Sequence, residues 1–247
     1  MKHALFLRAT MCGVMWRLSA LFSLLFAAPA AAGCEDIRFD GNRYTVCEIN
    51  LLQKEARLFW RDEVGELYGN FDALPDNVIV ATNGGMYHED RRPVGHYLEN
   101  GDEVVGVITS AGPGNFGLLP NGVLCLNAGS AAIFESREYA GDRPDCAYAT
   151  QSGPMLVIDG NLHPRFIEGS SSRKRRGGVG VSGDGQTLFI AVTGNAVNFH
   201  DFGTLFRDHL ETPNALFTDG TITRLFDRAS GRSDGGLPMG PVLAIID

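Results

Sequence analysis

The sequence has little positive charge. Its 21 Lys and Arg stand against 29 Asp and Glu, a formal net charge of −8. An acidic surface repels nucleic acid and anionic lipid, so no nucleic-acid partner is expected. Metal-binding spacings are missing too. There is no Cys-x-x-Cys pair and no His-x-x-x-His, and His88-Glu89-Asp90 with His96 fits no closed site. No metal and no cofactor are therefore expected. Beyond the first 32 residues no apolar run is long enough to cross a bilayer, so no membrane span is expected. Helical periodicity is scarce. Gly178-Val179-Gly180-Val181-Ser182-Gly183 has the glycine spacing of a dinucleotide fingerprint, but the β-branched run at 187–192 follows where a helix should begin. A nucleotide site is excluded on that context.

What is present begins with an export pattern. Lys2, Arg8 and Arg17 are basic, and no acidic residue precedes Glu35. Residues 18–28 are apolar, and Pro29-Ala30-Ala31-Ala32 follows. This order of charge, apolar run and small residues is that of a secretory signal. Cleavage is expected after Ala32, leaving a domain over 33–247 in the periplasm or secreted. A lipoprotein anchored at Cys34 is the minor reading, because Ala31 stands where a large aliphatic residue is usual. Removing residues 1–32 takes away three positive charges and no negative one, so the charge moves from −8 to −11.

Cys34, Cys47, Cys125 and Cys146 remain, an even number in an exported chain, which points to two disulfides. Asp40-Gly41 reads as a two-residue hairpin loop. With that loop, Cys34 falls opposite Cys47 at a non-hydrogen-bonded position, where side chains approach most closely. Cys125 then pairs with Cys146 by elimination.

Strands are expected at 43–49, 56–60, 78–82, 104–109, 123–127, 155–158, 187–192, 214–218 and 242–246, separated by Asn-Gly and Asp-Gly turn signals. The one clear helix is 201–211, where Phe202, Leu205, Phe206 and Leu210 form an apolar stripe ahead of Pro213. The expected fold is a single α+β domain with a mixed β-sheet core and few helices. The polar segment 168–176 is the expected mobile part. Its Arg173-Lys174-Arg175-Arg176 is the one dense basic cluster, and Arg suits phosphate oxygens.

Glycine-punctuated polar motifs recur along the chain: Asn83-Gly84-Gly85-Met86-Tyr87, Gln151-Ser152-Gly153-Pro154, Arg176-Gly177-Gly178-Val179-Gly180 and Thr218-Asp219-Gly220. Glycine admits close approach of a ligand or a second backbone, and strand ends are where sites are built. Asp219-Gly220 reads first as a tight hairpin turn, and the same position can present a carboxylate at a strand end.

These motifs in this order resemble the phosphodiester glycosidase family. So do Pro93-Val94-Gly95, Gly114-Asn115-Phe116-Gly117, Asn121-Gly122-Val123, Val197-Asn198-Phe199, Leu205-Phe206-Arg207-Asp208 and Asn214-Ala215-Leu216. The resemblance runs from about Cys34 to Pro241. It implies an exported hydrolase cleaving the sugar–phosphate bond of a glycosyl phosphodiester, in an envelope or extracellular glycan or a small molecule bearing a phosphate group, with Asp219 and Arg176 catalytic and Asn83, Gly85, Gln151, Ser152 and Asn198 on the substrate. Family members carry a second glycine where this chain has Thr221. A non-catalytic binder of anionic glycans is the alternative.

Overall fold

The computed structural model describes residue 1 and residues 33–220 and 222–247. The expected signal segment 1–32, apart from residue 1, and Thr221 lie outside the described residues. From Gly33 onward the described residues belong to one compact unit.

Among the described residues the strands form three sheets. The largest runs in the order Cys34–Phe39, Asn42–Asn50, Thr187–Thr193, Gly177–Val181, Asn214–Asp219, Met155–Ile158, Asn161–Leu162. The second runs Arg232–Ser233, Leu225–Asp227, Val78–Asn83, Val242–Ile246, Glu55–Phe59, and the third Asp102–Val105, Tyr97–Glu99, Tyr148–Ser152, Gly122–Asn127, Ser130–Glu135. The single domain with few helices agrees with expectation, but the mixed sheet does not. Every described strand pair is antiparallel. Parallel neighbours need long crossovers, usually helical, and the described residues hold few helices to supply them. The fold is correspondingly dominated by sheet.

The first hairpin turns on Asp40 and Gly41, both at positive φ (46° and 73°), which suits the twist of a two-residue loop. Cys34 stands opposite Cys47 and is bonded to it. Cys125 is bonded to Cys146. Cys34 is thereby consumed, which leaves no thiol for a lipid anchor.

One apolar core lies between the sheets. Ile49, Val179, Val181, Leu188, Ile190 and Leu216 of the large sheet meet Leu58, Val80, Leu243 and Ile245 of the second and Leu124 and Leu126 of the third. The other face of the large sheet packs on the helix Phe199–Thr204 and the wider turn Leu205–His209 that continues it. This helix begins two residues earlier than expected because Asn198 caps it, its Oδ1 accepting from Asp201 N at 2.8 Å.

The strand Gly177–Val181 was not expected, since glycine disfavours strands. Its alternation explains it. Val179 and Val181 enter the central core, while a Cβ on Gly178 would stand 3.1 Å from Phe202 and one on Gly180 would stand 2.7 Å from Phe206. The glycines are the surface on which the helix lies. Two other expectations shift. The strand expected at 104–109 is Asp102–Val105. The basic segment is pinned rather than loose: Lys174 exchanges backbone hydrogen bonds with Val197, and Arg173 pairs with Asp201 at 3.2 Å.

Candidate active site

One strand from each sheet ends at the same place. Val78–Asn83, Tyr148–Ser152 and Asn214–Asp219 bring Asn83, Ser152 and Asp219 together. Ser152 Oγ donates to Thr218 O at 3.2 Å. Asn83 Nδ2 donates to Asp219 Oδ2 at 2.9 Å, and Gly220 N donates to Asp219 Oδ1 at 2.5 Å.

The hairpin-turn reading of Asp219-Gly220 is overturned here. The next strand, Leu225–Asp227, pairs with Val78–Asn83 in a different sheet, so the chain crosses between sheets after Asp219. The turn in this crossing is closed by Thr223 N donating to Gly220 O at 2.9 Å. Arg224 is then clamped by its backbone: its N–H donates to Asn83 Oδ1 at 2.9 Å and its carbonyl accepts from Thr82 Oγ1 at 2.9 Å.

The Asn83-Gly84-Gly85 segment needs its glycines. A Cβ on Gly84 would stand 2.9 Å from Leu243 N, and one on Gly85, at φ 145°, would stand 2.8 Å from Thr150 Oγ1. Thr150 Oγ1 instead donates to Gly84 O at 2.7 Å. The segment is thus wedged between the second and third sheets and delivers Tyr87 beyond it.

Burial raises the Asp219 carboxyl to about 6, against the pull of its bonds from Gly220 and Asn83. The Tyr87 hydroxyl is also raised, by burial first and then by the Asp219 carboxylate, with Arg91 and Arg224 acting in the opposite sense. Tyr87 thus lies within electrostatic reach of both Asp219 and Arg224.

The other expected site residues have hydrogen-bond partners within the chain. Gln151 is buried, its Oε1 accepting from His96 N and Ile108 N and its Nε2 donating to Ile108 O and Asn121 Oδ1. Asn198 caps the helix and donates to Ser170 O at 3.3 Å. Arg176 is 2% exposed, donates to Val197 O (3.0 Å) and Ser172 O (3.2 Å), and lies 3.5 Å over the Phe199 ring. Burial lowers its guanidinium to about 10, which leaves it charged at neutral pH. Arg176 and Asn198 together tie the 170–172 segment to the helix start. The structure therefore gathers Asn83, Gly85, Ser152 and Asp219 at the strand ends, while the side chains of Gln151, Asn198 and Arg176 are engaged by the chain itself, and Gly177, next to Arg176, stands opposite Asp219 in the sheet.

Arg224 was not singled out from sequence. No local pattern marks it, because its place depends on the crossing between sheets. Tyr87 lay within a quoted motif but carried no role. Gly231-Arg232-Ser233-Asp234-Gly235 has the spacing of a nucleophile elbow, yet it holds a two-residue strand and an Arg232–Asp234 pair rather than a strand-to-helix turn, so no serine nucleophile is assigned there.

A family model described as phosphodiester glycosidase matches residues 76–225, a span that takes in Asn83, Tyr87, Ser152, Asp219 and Arg224. The chain is 32% identical over 215 residues to the uncharacterized protein YigE of Escherichia coli (strain K12), covering 84% of this chain and 83% of that protein. It shares its fold with the catalytic domain of zebrafish N-acetylglucosamine-1-phosphodiester alpha-N-acetylglucosaminidase, auto-inhibited by its pro-peptide. The TM-score is 0.61 at 13% identity, covering 87% of this chain and 81% of that one.

Proposed function

The chain belongs to the phosphodiester glycosidase family, and we propose that it is an exported hydrolase cleaving the sugar–phosphate bond of a glycosyl phosphodiester in an envelope or extracellular glycan. The observation that carries this reading is the Asp219 carboxylate, held by Asn83 and Gly220 where three strands end and raised to about 6 by burial. A general base works best with a pKa near the working pH.

The chemistry follows from the leaving group. Glycosidases normally need one carboxyl group to protonate the departing oxygen. A phosphate monoester has a second pKa of about 6 and leaves without much help. One carboxylate then suffices. Water adds to the anomeric carbon, the bond from that carbon to the bridging oxygen breaks with its electron pair leaving on the phosphate, and the water's proton passes to Asp219. Two disulfides and the basic, apolar, small-residue order of residues 1–32 support an extracytoplasmic location.

The test is release of a phosphomonoester from a model glycosyl phosphodiester. A second reading, a non-catalytic binder of anionic glycans, is favoured by Thr221 at the position of the family's second glycine. Saturable glycan binding without turnover would support it over the hydrolase.

A further inference from the structure

Five buried side-chain atoms have no hydrogen-bond partner among the described residues: Tyr87 Oη, His163 Nε2, Thr218 Oγ1, Thr223 Oγ1 and Arg224 Nε. Four of the five belong to residues at or beside the Asp219 site. Thr218 precedes Asp219, Thr223 and Arg224 lie on the crossing that follows it, and Tyr87 lies on the Asn83-Gly84-Gly85 loop. Buried polar atoms in folded proteins are almost all paired, so the Tyr87 and Arg224 donors call for a partner.

Two of these residues are held too firmly for chance. The Arg224 backbone is bonded on both sides to Asn83 and Thr82. Its Nη2 donates to Gly69 O at 3.1 Å, its Nη1 reaches Asn70 Oδ1 at 3.5 Å, and its guanidinium lies 5.2 Å over Phe71. Only Nε is unclaimed. The Tyr87 ring packs against Gly240, where a Cβ would stand 2.5 Å from the tyrosine's own Cβ, and the Arg91 guanidinium lies 5.3 Å over its face. Its ring is packed on both sides, and its hydroxyl has no partner among the described residues. Arg Nε–H can only donate. A protonated tyrosine hydroxyl beside it is a second donor.

We propose that Tyr87 Oη–H and Arg224 Nε–H donate to the phosphoryl oxygens of the ligand at the Asp219 site. The assignment rests on reading that site as one for a phosphodiester, and it names the groups that hold the phosphate. It gives the cationic role to Arg224, while Arg176 serves the helix start. Two donors, one of them cationic, suit an acceptor-rich phosphoryl group.

The test uses the full exported protein and two variants, Tyr87→Phe and Arg224→Lys. Inorganic phosphate binding is measured by calorimetry, thermal midpoints without ligand are recorded, and turnover is followed on a glycosyl phosphodiester. Tyr87→Phe should keep or raise the midpoint, since it deletes an unpaired buried hydroxyl, and weaken phosphate binding about 10- to 100-fold. Arg224→Lys should weaken it similarly. Unchanged phosphate affinity in Tyr87→Phe overturns the proposal. So does a clear fall in that variant's midpoint, which would show the hydroxyl to be structural, and so does a wild-type protein that binds no phosphate. Phosphate binding lost in both variants, with no turnover by wild type, sinks the hydrolase reading and leaves this one standing.

Discussion

Asn83 and Asp219 lie 136 residues apart in sequence and meet through a 2.9 Å hydrogen bond that joins two sheets. Asn83 uses both ends of its amide. Nδ2 holds the carboxylate and Oδ1 holds the Arg224 backbone. It therefore ties the Asp219 carboxylate to the Arg224 backbone.

Asp219→Asn is nearly isosteric. If Asp219 acts on the attacking water, kcat should fall about 10²- to 10⁴-fold with KM little changed. In the wild type, kcat/KM should rise with pH through a limb near 6, the value to which burial raises this carboxyl. Steady-state kinetics across pH 4–8 check both points, and an Asp219→Asn enzyme with wild-type kcat would remove the residue from the mechanism.

The same shift predicts a stability effect. The Asp219 pKa is raised from 3.8 to about 6 on folding, so between those values the folded state holds the proton more tightly than the unfolded chain. Its contribution is fully present below about pH 4 and is lost as pH rises through 6. The loss is about 3 kcal/mol. Asp219→Asn does not titrate, so its Tm minus that of wild type should grow from pH 4 to pH 7. A difference that is flat across that range would show that the carboxyl is not so raised.

Arg176→Ala removes donors to Val197 O and Ser172 O and the stack on Phe199. The expected cost is about 2–4 kcal/mol of stability, read by urea denaturation. A variant with unchanged stability and a raised KM would return Arg176 to the phosphate-binding role that its basic cluster suggests.

Non-reducing peptide mapping should recover Cys34 joined to Cys47 and Cys125 joined to Cys146. Replacing both members of the second pair by serine opens a link across 21 residues of separation and should cost about 2–4 kcal/mol. Recovery of free Cys34, or of Cys34 joined to Cys125, would contradict the structure.

Gly180→Ala should destabilise the protein by about 1–3 kcal/mol, because the new methyl would stand 2.7 Å from Phe206 and 2.9 Å from Thr212. Gly41→Ala meets no atom within 4 Å but must hold a φ of 73°, so its cost is conformational and smaller. Thermal unfolding of the two variants side by side checks the order.

The sequence by itself determined what nearest neighbours decide. Asp40-Gly41 set a two-residue loop, and from that loop the register of Cys34 with Cys47 and both disulfides could be counted. β-branched runs such as Val78-Ile79-Val80 marked strands, and the Phe202–Leu210 stripe marked the helix. The glycine motifs marked the neighbourhood of the site. Tertiary structure decided the rest. Gly177–Val181 became a strand because Phe202 and Phe206 fill the space over its glycines, against local propensity. Asp219 ceased to be a turn residue because the next strand joined another sheet. Arg176, prominent in its basic cluster, was drawn under the helix start, while Arg224, which no local pattern marks, was tied by its backbone to Asn83, the residue that holds the Asp219 carboxylate. Spacing along a chain encodes which way a side chain turns from its own strand. Which strand ends then face one another depends on how the sheets stack about a common core, and that is a property of the whole fold.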